Sequence, residues 1–321
     1  IRDSHRMVEV DMMGNTIHNW DMLERGYTMH HAISQDKQGN ILATVSKTSA
    51  KIANGKDVRI NDFIIMMDPE KGEILQEWDL VHMLDSARYG MTDYDLTSDP
   101  FAQSASNWAH NNGIVEWGDD YLATARYQGI FKFNKAGGIE WIISPHGYWR
   151  DKYLKLLLNP LHADGTHITD PEVIAGTKTC DDFEWPWGCH TAVPLPNGHI
   201  LYFNNGYGRN FKLDFTDRKN IYTCGIEYEV DEVNRTVRQV WQYGKERGTA
   251  YFTPARSGVQ YLEQTGNRLI CPGMSNVLSN GNRGARVTEV DPETQDVVFE
   301  LELEDAIYQR VYRMSLYPEN Q

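Results

Sequence analysis

An all-β fold is what this sequence predicts, and three observations carry the prediction. A hairpin pattern recurs in a fixed frame, a second hairpin pattern follows each copy, and only one insertion reads as helix.

The first recurring unit reads "HAISQDKQGNILATV" from His31, "HNNGIVEWGDDYLATAR" from His110 and "HTAVPLPNGHILYF" from His190. In each, the histidine precedes the turn glycine (Gly39, Gly118 or Gly198) by eight residues. A fourth copy, "GVQYLEQTGNRLIC", keeps the frame but has Gly258 at its head. The second unit appears as "DFIIMMDPEKGEILQEW", "GIFKFNKAGGIEWII", "GIEYEVDEVNRTVRQVW" and "ARVTEVDPETQDVVFEL", with β-branched and aromatic residues around Asp-Pro, Gly-Gly or Asn-containing turns. Two hairpins make a four-stranded unit, and units whose heads converge are the blades of a β-propeller. A solenoid would not bring the heads together.

Head-to-head spacings of 79, 80 and 68 residues exceed the roughly 40 to 50 residues of bare blades, so long loops are inserted, and they are expected to cover one face. The insertion after "WIIS" contains the helical candidate, Trp149 to Leu158. The chain opens on half a unit, "RMVEVDMMGNTIHNW", and closes on another half, "YQRVYRMSLYP". Five blades are accountable in this chain, and six are expected in the intact protein. Residues 1–321 are read as a single domain.

Composition narrows the function. Apolar residues make up 40%, yet no run approaches the roughly 18 apolar residues of a spanning helix. The net charge of −14, with no basic run, argues against nucleic-acid or anionic-membrane partners. The chain starts at Ile1 with neither methionine nor signal peptide, as a processed or truncated form would. Of the four cysteines, Cys180 and Cys189 bracket "DDFEWPWG", where spacing leaves a disulfide or two buried thiols open. A bridge stiffening the loop into His190 is the expectation tested below; it would imply an oxidising compartment. Cys224 and Cys271 have no assigned pairing.

Three histidines in one frame, among 11 in the chain, point to a shared site. They suit either a metal ion or an anionic group held by imidazole and guanidinium while one imidazole attacks it. Local metal spacings such as His-Glu-x-x-His are absent. Asn112 follows His110 by two residues, and Arg126 ends the same hairpin with a planar fork suited to two oxygens. "YFTPARSG" brings Thr253, Arg256 and Ser257 to the fourth head, and Tyr27, Tyr89, Tyr94, Trp108 and Tyr207 are candidate walls of an apolar pocket.

With "HHAISQDKQGNIL", "WAHNNGI", "ARYQGIFKF", "CHTAVPLPNGHILYFNNG", "EYEVDEVNRTVRQVWQYGKERG" and "YFTPARSG", the chain resembles the bacterial arylsulfate sulfotransferases. The resemblance implies a six-bladed propeller, a periplasmic location, a homodimer and an N-terminal β-sandwich, which, with the start of the first blade, is expected to be absent from this chain. It also implies transfer of a sulfuryl group from an aryl sulfate donor to a phenolic acceptor, with no nucleotide sulfate, metal or cofactor. His190 falls on the family's nucleophile, His31 and His110 on its supporting histidines, and Arg126 and Asn112 on its polar contacts. Thr253 or Ser257 corresponds to a further substrate contact. His30 adjoins His31, and only the repeat frame selects the latter. The implied mechanism is ping-pong through a sulfohistidine. The alternatives are a metal-dependent lyase or hydrolase using the same histidines as ligands, and a non-catalytic binding propeller.

Overall fold

The computed structural model describes residues 5–54, 57–88, 108–212, 216–274 and 276–304, the side chains of 48–54 and 57–61 excepted. Strands β1 (Arg6–Val10) and β2 (Thr16–Asp21) form a hairpin from the opening run. Four antiparallel sheets follow. The first is β3 (Thr28–Gln35), β4 (Ile41–Asn54), β5 (Asp57–Met67) and β6 (Ile74–Asp79), and the second is β7 (Asn111–Trp117), β8 (Asp120–Ala125), β9 (Gly129–Phe133) and β10 (Ile139–Ile143). Short β11 (Asn159–Leu161) then runs parallel to the last strand of the third sheet, which is β12 (His190–Pro194), β13 (Ile200–Asn204), β14 (Cys224–Asp231) and β15 (Thr236–Tyr243). The fourth comprises β16 (Ser257–Tyr261), β17 (Arg268–Pro272), two-residue β18 (Asn276–Val277), β19 (Arg283–Val290) and β20 (Val297–Glu304), with β19 between β17 and β20. Each predicted repeat is thus one sheet. The closing run at 308–318, and with it the blade count, lies outside the described residues, as do Tyr89 and Tyr94.

Local chemistry fixes the hairpin registers. Asp36 Oδ1 accepts from the backbone N–H of Gln38 (2.9 Å) and Asn40 (2.8 Å), while Gly39, at φ +84°, returns its N–H to the Asp36 carbonyl (3.0 Å). Asp11 and Asn134 build the same turn with Gly14 and Gly137. A side-chain acceptor at the first turn position and a residue that tolerates positive φ at the fourth are what the geometry demands.

The sheets pack face to face in chain order. Met7 and Trp20 of the opening hairpin meet Val45 and Phe63. Leu42, Ile64 and Trp78 meet Ile114, Tyr121 and Phe131. Ile130 and Trp141 meet Ala192 and Tyr202, and Leu201 and Phe203 meet Val259 and Ile270. An inner strand is therefore covered on both faces, which is why β13 is buried at every position. Each such large apolar side chain contributes about 1.5–3 kcal/mol. The first strands also adjoin in series, β3 on β7, β7 on β12 and β12 on β16. Gly113 of the second sheet faces the third: an added Cβ there would stand 3.5 Å from Thr191 Cα, as well as 2.3 Å from Thr124 Oγ1 of its own sheet.

The expected helix at Trp149 to Leu158 shrinks to Asp151–Leu154. Leu156 and Leu158 leave it to pair with β10: Ile142 N–H donates to the Leu156 carbonyl (2.8 Å) and Leu158 N–H to the Ile142 carbonyl (3.0 Å). A sheet edge competes successfully for those backbone groups. Among the described residues, no helix is long and apolar enough to cross a membrane.

Candidate active site

The heads of β3, β7 and β12 are all bulged. Pairing jumps from Met29↔Val45 to Ile33↔Ala43, from Asn111↔Ala125 to Gly113↔Thr124, and from His190↔Phe203 to Ala192↔Tyr202. At or beside these bulges His31 (φ +56°), His110 (φ +53°) and Thr191 (φ +45°) take left-handed backbone that side chains rarely adopt. Bulges re-aim side chains out of the two-residue alternation. The "LAT" shared by β4 and β8 completes two of them: Thr44 Oγ1 accepts from Ala32 N–H (3.0 Å) and donates to the His30 carbonyl, and Thr124 Oγ1 donates to Asn112 Oδ1 (2.7 Å).

So re-aimed, the three predicted histidines converge. The His31 ring centroid lies 4.6 Å from that of His110 and 6.5 Å from that of His190, and His31 Nε2 is 3.0 Å from His110 Nε2. Burial, with His110, His30 and His190 as like-charged neighbours, holds His31 well below the usual imidazole range against the pull of Asp62. Burial, then Arg126, His190 and His30, does the same to His110. Both rings are neutral near pH 7.

His190 is the most deeply buried of the three and its tautomer is set. Its Nδ1 faces two acceptors, Asn205 Oδ1 at 2.6 Å and the Gly188 carbonyl at 3.2 Å, so Nδ1 carries the proton and Nε2 the lone pair. Asn205 is oriented in turn, because its Nδ2 donates to the Thr253 carbonyl (2.9 Å), a group that only accepts. Ser257 Oγ donates to the same Asn205 Oδ1 (3.2 Å), whereas Thr253 Oγ1 donates to the Ala255 carbonyl (2.7 Å). The two candidate contacts at the fourth head therefore reach His190 through Asn205.

Arg126 is buried, donates from Nη2 to the Pro254 carbonyl (2.8 Å) and lies 4.7 Å from the Tyr207 ring. An added Cβ on Gly188 would stand 3.6 Å from its Cζ. Asn112 Nδ2 donates to the Cys189 carbonyl (2.8 Å), tying the second sheet to the residue before His190. Trp108 and Tyr27 are buried, the latter donating to Glu77.

Three residues outside the repeat frame complete the cluster. One is Asn205. The second is His30, whose Nδ1 is 3.0 Å from His31 Nδ1. The third is Asp62, whose Oδ1 lies 3.5 Å from His30 Nε2 and accepts from Ser46 Oγ (2.9 Å), while Oδ2 accepts from Asn111 N–H (3.1 Å). Burial acts to raise the Asp62 carboxyl, but these donors and His30 hold it below the usual range, ionised.

The expected disulfide does not form: Cys180 and Cys189 are both free thiols. Cys180 Sγ donates to Asp182 Oδ1 (3.0 Å), while Cys189 is fully buried with its sulfur toward the Ala125 carbonyl, and burial pushes its thiol up to about 12. The loop into His190 is fastened otherwise. Asn204 donates to the Trp185 carbonyl and accepts from Trp187 N–H (2.9 Å each), and buried Glu184 Oε1 accepts from buried Arg209 Nε (2.6 Å). Glu184→Gln is expected to cost about 3–5 kcal/mol, because it strands a buried guanidinium. Denaturant unfolding of the variant measures this.

Among the described residues, the histidines do not form a group with three donor atoms mutually within 4.8 Å; that convergence occurs instead at His162, Cys180 and Asp182. The site is a histidine-centred one on an all-β scaffold, with one imidazole carrying its lone pair on Nε2. The chain belongs to the arylsulfotransferase (ASST) family, whose profile matches residues 1–313. It is 29% identical to the arylsulfate sulfotransferase AssT of Escherichia coli O6:H1 over 96% of this chain and 56% of that protein, and 29% identical to the enzyme of the same name from Lelliottia amnigena with the same coverage. It spans little more than half the length of those relatives. Among solved structures, a putative 6-phosphogluconolactonase from Bacteroides uniformis aligns with a TM-score of 0.33 at 12% identity, covering 84% of this chain and 72% of that one.

Proposed function

We propose that this chain transfers a sulfuryl group from an aryl sulfate to a phenol by a ping-pong route through His190. The observation that carries the reading is the engagement of His190 Nδ1 by Asn205 and the Gly188 carbonyl, which places the lone pair on Nε2 beside two neutral imidazoles and a buried arginine. Nε2 attacks sulfur in line; the N–S bond forms as the S–O bond to the phenol breaks. Arg126 and Asn112 hold the sulfuryl oxygens, as positioned donors do for other group transfers in which charge stabilisation supplies most of the rate. Thr253 and Ser257 act by holding Asn205. The acceptor phenol then attacks the sulfohistidine and the lone pair returns to Nε2. His31 and His110 manage the phenolic proton, whose reference pKa is about 10. The face-to-face sheets with adjoining first strands support a propeller reading of residues 1–321, with the heads at one mouth of its channel.

The test is turnover of a chromogenic aryl sulfate with and without added phenol. Release that depends on the acceptor, with parallel double-reciprocal plots, is the expected result. Acceptor-independent hydrolysis abolished by chelators would favour the metal-dependent reading instead.

A further inference from the structure

Four titratable groups form a line that ends away from His190. Asp62 Oδ1 stands 3.5 Å from His30 Nε2, His30 Nδ1 stands 3.0 Å from His31 Nδ1, and His31 Nε2 stands 3.0 Å from His110 Nε2. Nitrogens that face each other at 3.0 Å share one proton between two lone pairs, so each protonation choice dictates the next. Asp62, buried and anchored by Ser46 Oγ and Asn111 N–H, fixes the start of the line.

We propose that Asp62 and His30 are positioning residues of a proton relay that stores, between half-reactions, the proton exchanged with the phenol oxygen. The inference rests on the sulfuryl-transfer reading above. In the charged relay His30 is an imidazolium against Asp62; its Nδ1–H donates to His31 Nδ1, His31 Nε2–H donates to His110 Nε2, and His110 carries its proton on Nδ1. When the donor's S–O bond breaks, the phenolate takes that Nδ1 proton. One proton moves along each link, and His30 is left neutral. When the acceptor phenol attacks the sulfohistidine, its proton enters at His110 Nδ1 and every link reverses. Protons balance over the cycle with no exchange with solvent. The stored charge resides on His30 because Asp62 faces that ring, whereas Arg126 stands near His110 and disfavours charge there.

Asp62→Asn removes the counter-charge while keeping a similar shape, and the informative readout is how its effect varies along a series of aryl sulfates. For phenyl sulfate, whose phenol needs a proton to leave, kcat/KM for the donor should fall about 10²-fold, with less than about 3-fold loss for a nitrophenyl sulfate whose phenolate leaves unaided. The plot of log kcat/KM against leaving-phenol pKa therefore steepens. His30→Gln, run on the same series, should steepen it as well and stands in if Asp62→Asn does not fold. A uniform loss across the series in the variants would overturn the relay and leave Asp62 a strand anchor. A wild-type protein that transfers nothing from any aryl sulfate would overturn the sulfuryl-transfer reading and the relay together.

A separate observation carries a second site. His162 Nδ1 and Cys180 Sγ each lie 3.0 Å from Asp182 Oδ1, and the three donors fall within 4.8 Å of one another in the insertion that precedes His190. Tetrahedral zinc sets its sulfur and nitrogen ligands about 3.5 Å apart and accepts this mixture of thiolate, imidazole and carboxylate. The side chains of His162 and Asp182 are 38% and 36% exposed, so water can fill a fourth position. The geometry points to a site for Zn²⁺ or a similar borderline divalent cation. Cobalt(II) titration should give a saturable thiolate-to-metal absorption band that zinc displaces. Cys189, Cys224 and Cys271 are buried, so Cys180→Ser should lose the band. No saturable band, or an undiminished one in Cys180→Ser, would overturn the assignment.

Discussion

Replacing His190 with asparagine is expected to abolish sulfuryl transfer while the unfolding transition stays close to that of the parent. The loss is total because no neighbour can substitute. His31 spends both ring nitrogens on His30 and His110, and His110 is turned toward His31. Quenching with donor alone and digesting should show one added sulfuryl group on the peptide containing His190, and none in the variant. His31→Asn and His110→Asn are expected to behave differently, because losing a general acid or base costs about 10²- to 10⁴-fold and leaves measurable turnover. Full activity in His190→Asn, or the adduct on another peptide, would end the mechanism.

The second large effect is expected at Asn205, which no substrate need touch. With leucine there, Nδ1 of His190 loses its shortest acceptor, and the ring is released to protonate Nε2 and lose its nucleophilic lone pair. A wrong tautomer at an otherwise intact site is costly; a drop in kcat of about 10²-fold or more is expected. Asn205→Asp keeps an acceptor toward Nδ1 and should retain far more activity, although it gives up the donor to the Thr253 carbonyl. The nitrogen-15 shifts of His190 would report the tautomer directly. Equal losses in the leucine and aspartate variants would mean that Asn205 serves packing rather than proton placement.

The parts of the site written in the repeat frame were legible. His31, His110 and His190 share a fixed distance to a turn glycine, and a hairpin converts that distance into a common height on adjoining strands. The four sheets followed for the same reason. Asn205 was harder to see because it lies beyond the end of β13, and its role comes from facing His190 across the hairpin. The doubled "NN" was the available signal, since successive residues near a strand point to opposite sides: Asn204 clamps the loop at Trp185 and Trp187, and Asn205 clamps the ring. Asp62 sits at the third strand of its sheet, a position the hairpin heads do not index. His30 was set aside because the frame counts residues to the turn glycine and so indexes one position per head, whereas at the bulged head of β3 His30 and His31 both lie in the cluster. The disulfide and the helix failed for different reasons. Cys180 turns to a local acceptor, Asp182, two residues on, while Cys189 is fully buried toward the Ala125 carbonyl; the helix gave way to a tertiary partner, β10, which takes the backbone groups of Leu156 and Leu158.

The bonds that cross between sheets have a kinetic meaning. Asp62 of the first sheet accepts from Asn111 of the second, Asn112 of the second donates to Cys189 at the edge of the third, and Asn205 beside the third donates to Thr253 at the fourth. No sheet holds a working fraction of the site: Asn205 and Thr253 must be docked before the tautomer of His190 is chosen, and Asp62 must meet Asn111 before the first two sheets are tied together beside the histidines. Contacts of such sequence separation are late and slow to form, because loop-closure entropy opposes them until several sheets are already in place. During refolding, strand signal in circular dichroism should return before transferase turnover. On the proposed sulfuryl-transfer reading, the return of turnover is thus a clock for the completion of the tertiary structure.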